Sequence, residues 1–139
     1  MAQAAIPDTR STFLAQLLAP IAAPAESRRF LAELRREVEE AWSLALHRFH
    51  AARAFREHCA HLRRIAEIER RGVAAEAAGE AQAHLAMLEA VNRMMHVPAP
   101  TIGALRHKQK LRGFDGGRDR WEAAIAADEA ALGCSERQQ

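Results

Sequence analysis

Between Ala25 and Arg71 the chain contains neither proline nor glycine. Over that span apolar residues recur at Phe30, Leu34, Val38, Trp42, Ala45, Phe49, Ala52, Phe55, Cys59, Leu62 and Ala66. Every step is three or four residues, which is the period of an amphipathic helix. The spacing predicts one helix of about 46 residues, roughly 70 Å long at about 1.5 Å per residue. Pro24 suits its first turn, where a missing N–H costs nothing. Arg70 and Arg71 suit its C-terminus, and Gly72 is the expected stop. The pairs Arg36–Glu40, Arg53–Glu57, Arg63–Glu67 and Glu67–Arg71 stand four apart. Each favours the helix by a few tenths of a kcal/mol.

A helix this long cannot bury its apolar stripe alone, so the rest of the chain must supply cover. A second helix is expected over 74–96, with a stripe of Ala77, Ala81, Leu85, Leu88, Val91 and Met95. The short connection makes the two antiparallel. This partner reaches only about half of the first helix, and the part from Phe30 to Trp42 needs another. A last helix from Gly117 or Arg118 to Leu132, with Trp121, Ala124, Ile125, Asp128 and Leu132 on one face and Gly133 as its stop, is one candidate cover. A second subunit is the other. The fold class is therefore all-α: a long antiparallel helical hairpin plus shorter C-terminal helices, packed in the coiled-coil manner into an elongated bundle. Residues 1–24 read as a flexible N-terminus with one short helix over 12–19, 25–133 as a single helical domain, and 134–139 as a loose tail.

Composition agrees with that class. The chain has 139 residues, one domain in size. It has no Tyr, and many of its apolar residues are Ala, which disfavours sheets and makes for a thin core. A net charge of +2 with both signs interspersed gives no global field aimed at nucleic acid or membrane. Cys59 and Cys134 form neither a disulfide framework nor a metal-type spacing, and read as reduced thiols of a cytoplasmic protein. "FLAQLLAPIAAPA" (13–25) is similar to a signal-peptide core and cleavage site, but Gln16 and Pro20 interrupt it and Asp8 offsets Arg10. No run approaches the roughly 20 apolar residues of a membrane span.

The composition changes abruptly at "VPAPTIGALRHKQKLRGFDGG" (97–117), which holds two of the five prolines, four of the seven glycines and both lysines. Residues before proline avoid the helical region, so the entry is extended. Thr101 can then cap a short helix from Ile102 to about Leu111, ended at Gly113. "PAPTIGALRHK" resembles a motif of short, Ala-rich, helical proteobacterial proteins, often linked to prophages. Their pattern is approximately Pro-Ala-Thr-Thr-Leu-Ala-Gly-Leu-x-x-Lys, placed after a helical hairpin and before a Trp-containing last helix. Pro98, Ala99, Thr101, Ile102, Leu105 and Lys108 match it. Pro100 replaces a Thr, and Gly103-Ala104 reverses the small pair. The resemblance implies organisation and a phage or mobile-element origin; it brings no activity with it.

Four kinds of chemistry can be weighed. His47, His50, His58 and His61 fall within an arc of about 80° on the first helix, off its apolar face, with Glu57 nearby. Such a face could hold a zinc-like ion, but the two pairs are ~12 Å apart along the axis, so one ion cannot use all four. Surface histidines in an Arg/Glu-rich helix are common, and no metal or other cofactor is expected. Arg106, Lys108, Lys110, Arg112, Arg118 and Arg120 form a basic segment that could touch phosphate or an acidic partner. The bland alternative is a solvated connector. No Gly-rich phosphate loop, nucleophile motif or paired carboxylates suggest an enzyme. The expectation is a non-catalytic helical protein that acts through self-association or contact with another protein. A nucleic-acid accessory role through residues 106–120 and a metal-binding bundle through the histidine face are the alternatives.

Overall fold

The computed structural model describes residues 24–116 and 119–138, the last five as backbone only. The expectations for the N-terminal short helix and the signal-like segment lie outside the described residues. Among the described residues four α-helices follow one another: α1 (Ala25–Ile68), α2 (Ala74–His96), α3 (Ile102–Lys110) and α4 (Glu122–Gln138), with a 3-10 turn at Phe114–Gly116 before the last. No strand occurs among the described residues. The fold is all-α, and α1 and α2 pack as a hairpin. No described helix is long and apolar enough to cross a membrane.

Two compact units divide the chain, Ser43–Met94 and the described residues on either side of it. In the Ser43–Met94 unit the two arms of the hairpin bury Ala45, Phe49, Cys59 and Ala66 from α1 with Ala83, Met87, Ala90, Val91 and Met94 from α2. Alanines at these positions let the backbones approach closely, and methionines fill the irregular gaps that remain. The turn between the arms is not built on glycine. Arg70 takes the left-handed conformation (φ 57°). Its N–H donates to the Glu67 carbonyl and that of Arg71 to the Ala66 carbonyl, at 3.1 and 2.9 Å. This pair of bonds is a Schellman closure with Arg70 at the position where glycine is usual. The helix therefore stops at Ile68, short of the expected Gly72. Of the four ion pairs expected along α1, Arg36–Glu40, Arg53–Glu57 and Arg63–Glu67 form at 3.7, 3.1 and 3.2 Å. Arg71 lies beyond the helix and turns to Glu69 and Glu76 instead, at 2.6 and 3.8 Å.

The expected stripe of α1 separates into two. Phe55 and Leu62 are 50% and 42% exposed, while Arg56, which the expected stripe passed over, stands partly buried between Ala52 and Cys59. The buried line runs 45, 49, 52, 56, 59 and 66, and the second line lies one residue behind it.

In the other unit, Ala131 of α4 is buried against Leu31, Leu34 and Val38 of α1. Of the two covers considered for this part of α1, the last helix is the one observed. Phe30 stays outside at 61% exposure. α4 begins and ends later than its sequence suggests. Trp121 stands just before it, its carbonyl accepting from the Ile125 N–H at 3.0 Å, and Gly133 lies inside the helix rather than at its end. α3 matches its expected start. The Thr101 hydroxyl accepts from the Ala104 N–H at 3.1 Å, with Thr101 itself extended (φ −141°, ψ 163°). Thr101→Ala should therefore cost about 1 kcal/mol, read as a lower urea midpoint at unchanged slope.

Candidate functional site

The chemistry of residues 97–128 turns on Lys108. The first turns of α3 place Ala104, Leu105 and Lys108 on its buried side, since residues three and four apart share a face. Lys108 is 0% exposed. Its ammonium donates to Asp128 Oδ2 of α4 at 2.6 Å and to the Met95 carbonyl at 3.2 Å. It also donates to the carbonyl of Val97. The Trp42 ring lies on another side, its centroid 5.6 Å from Nζ, within the range of a cation–π contact. Three donor hydrogens thus meet three oxygens, two of them carbonyls at the end of α2, where the last helical carbonyls lack partners. Asp128 is also 0% exposed. Taking two charges out of water is costly, and only dense hydrogen bonding of this kind offsets it. The pair ties α3, α4 and the end of α2 together. Neither group touches solvent, so neither can meet a substrate in this arrangement.

This burial corrects one member of the basic set. Lys108 cannot contact phosphate or an acidic partner, because it is enclosed and committed to Asp128. The others divide. Arg106 and Lys110 are exposed on α3. Arg112 is half-buried and faces Glu122 at 3.4 Å and Glu129 at 3.3 Å. Gln109 donates to the same Glu129. Arg120 is exposed, its guanidinium 5.6 Å from the centroid of the Trp121 ring. Arg118 lies outside the described residues. The segment is not a uniform basic surface, since Lys108 and Arg112 have acidic partners within the fold.

The motif residues of the connector take structural places. Ala99 and Leu105 are buried, Thr101 caps α3, and Lys108 is the buried cation. The sequence places Asp128 on the face of the last helix, but the cation that it meets was missed. A lone carboxylate on an otherwise apolar helix face asks for a cation, and the only lysines in the chain are Lys108 and Lys110.

The histidine face is present as a face, with His47, His50, His58 and His61 all exposed on α1. Among the described residues no group of three or more His, Cys, Asp or Glu side chains is close enough together to hold a metal ion. Cys59 is buried, as its place on the apolar stripe suggested.

Two surface features of the α1–α2 hairpin are left. On one flank a groove of about 470 Å³ is lined by Arg56, Arg63, Ala77, Glu80, His84 and Leu85. Arg63 bridges Glu67 and Glu80, at 3.2 and 3.0 Å. The Glu80 hydrogen bond, then the Glu80 charge, then the Glu67 charge raise the Arg63 pKa. On the other flank Leu44 and Phe55, each 50% exposed, and Leu62 stand out from α1. At about 100° per residue, Leu44, Arg48, Ala51, Phe55, His58 and Leu62 fall within an arc of about 80°. All six are exposed. Compared with family models, with curated proteins and with solved structures, the chain matches none.

Proposed function

We propose that the protein is a non-catalytic helical interaction protein that acts through the exposed apolar strip of α1. The observation that carries this reading is the half-exposure of Leu44, Phe55 and Leu62 on one flank of a hairpin whose core is already packed between its two arms. Three large apolar side chains along one helix face are an association surface rather than scattered exposure. A catalytic reading has less support, because the most unusual polar group, the Lys108–Asp128 pair, is closed to solvent. The motif resemblance adds a phage or mobile-element origin to the proposal and supplies no chemistry.

The test uses the tagged full chain in extract of its own cells. Gel filtration should show it well above 15.4 kDa, and Leu44→Glu/Phe55→Glu/Leu62→Glu should shift it to the monomer position. The positions are exposed, so circular dichroism of the triple variant should match the wild type. A wild type that elutes as a monomer in extract overturns the reading.

A further inference from the structure

We propose that the occupant of the α1 strip is a second copy of the same chain, bound with the two α1 helices antiparallel about a two-fold axis at the level of Arg53. The inference rests on the strip being an interaction face, and it names the partner. The reason lies in the order of the residues. Leu44, Arg48, Ala51, Phe55, His58 and Leu62 are spaced four, three, four, three, four. That is the alternation of a coiled-coil seam. It also reads the same in both directions about residue 53. A two-fold contact requires self-complementarity, in which residue i meets residue j and j meets i.

With the axis at that level the layers fit by size. Leu44 meets the partner's Leu62. Ala51, the smallest residue of the strip, meets the partner's Phe55, the largest, so each ring fills the space left by a methyl group. Arg48 meets the partner's His58. A neutral imidazole nitrogen can accept from a guanidinium, and the Arg stem covers apolar surface while its head stays in water.

Area points to the same arrangement. The strip is about 27 Å long and ~10 Å wide, too little by itself for the ~800 Å² per partner of a stable interface. On the same flank α2 offers Ala75, Gln82 and Ala86, all exposed, on the side away from Ala77, Ala81 and Leu85. Their small side chains let a second hairpin approach closely. Two hairpins joined along this flank make a four-helix arrangement that covers Phe55 and Leu62 on both copies.

Sedimentation of the purified full chain decides the matter. The wild type should behave as a dimer of a 15.4 kDa chain at a concentration of about 100 µM. Phe55→Ala and Ala51→Phe should each weaken the dimer by about tenfold, the first by a cavity and the second by a clash. The swap Ala51→Phe/Phe55→Ala exchanges large for small across the axis and should restore it to within about threefold. Leu85→Glu, on the opposite flank, should leave it unchanged. Circular dichroism keeps loss of association apart from loss of fold. A monomeric wild type overturns the inference, as does a swap no better than its two single changes combined, or a dimer broken by Leu85→Glu. A chain that is monomeric when pure but large in extract refutes the second copy and leaves the interaction reading standing. A monomer in both removes both.

Discussion

Replacing Lys108 by alanine should lower stability by about 3–5 kcal/mol, because it strands the Asp128 carboxylate in the interior. In a chain of this size that is a fall of about 10 °C or more in the thermal midpoint. The loss has two parts. One is the unpaired charge. The other is the carbonyls of Met95 and Val97, which lose a buried donor at about 1–3 kcal/mol each if water does not replace it. A double change to Lys108→Met/Asp128→Leu separates them. It removes both charges while keeping apolar volume, so most of the charge part should return and the carbonyl part should remain. Denaturant unfolding of the three proteins measures both. A Lys108→Ala protein within about 0.5 kcal/mol of wild type would mean that the ammonium is hydrated in solution and the enclosure described here does not form.

Trp121→Ala should be comparably severe, at about 3–5 kcal/mol. Trp121 is 0% exposed and stands immediately before α4, where its backbone carbonyl takes the first helical hydrogen bond. Removing the ring leaves the largest cavity that any single truncation could make among the described buried residues. The position of α4 depends on it, and with that position go the burial of Ile125 and of Asp128 one turn further on. Trp121→Phe keeps part of the volume and should cost roughly half as much. Loss of most of the native tryptophan fluorescence change on unfolding should accompany the alanine variant. An unfolding midpoint equal to wild type would refute the anchoring role. Against a total of about 5–15 kcal/mol for an ordinary domain, either change alone takes a large share.

Much of the fold was legible because punctuation residues stood at the right places. Thr101 and the prolines before it mark the start of α3, and the expected 74–96 agrees with α2 at both ends. The end of α1 was misjudged because Arg70 occupies the left-handed position that usually marks itself with glycine. The end of α4 was misjudged for the opposite reason: Gly133 sits inside a helix, where it costs only about 1 kcal/mol and breaks nothing. The stripe of α1 shows a subtler failure. Choosing an apolar residue at each step of three or four led from Ala52 to Phe55 and from Cys59 to Leu62. Those steps cross from one helical line to its neighbour. The true buried line passes through Arg56, which is partly buried although charged, and a pattern of apolar letters skips over it.

The candidate site was less legible. Lys108 lies between Arg106 and Lys110 in the most basic stretch of the chain, and local charge logic reads all three as solvated. Its fate is decided by partners 11, 13 and 20 residues away, on other elements. No periodicity within α3 contains that information. The strip now proposed as a self-docking face was visible letter by letter, but only burial on the neighbouring line showed that it was unused.

Those same short separations bear on how the chain acquires its structure. Loop-closure cost grows only slowly with length, and here all three bonds to the ammonium close within one stretch from Met95 to Asp128. These three bonds therefore join nearby parts of the chain, with only the Trp42 ring brought in from a distance, and contacts of this kind favour rapid folding. The buried pair can thus set the register of α3 against α4 from their own residues, while Trp42 beside the ammonium and Leu31, Leu34 and Val38 against Ala131 dock both helices on α1.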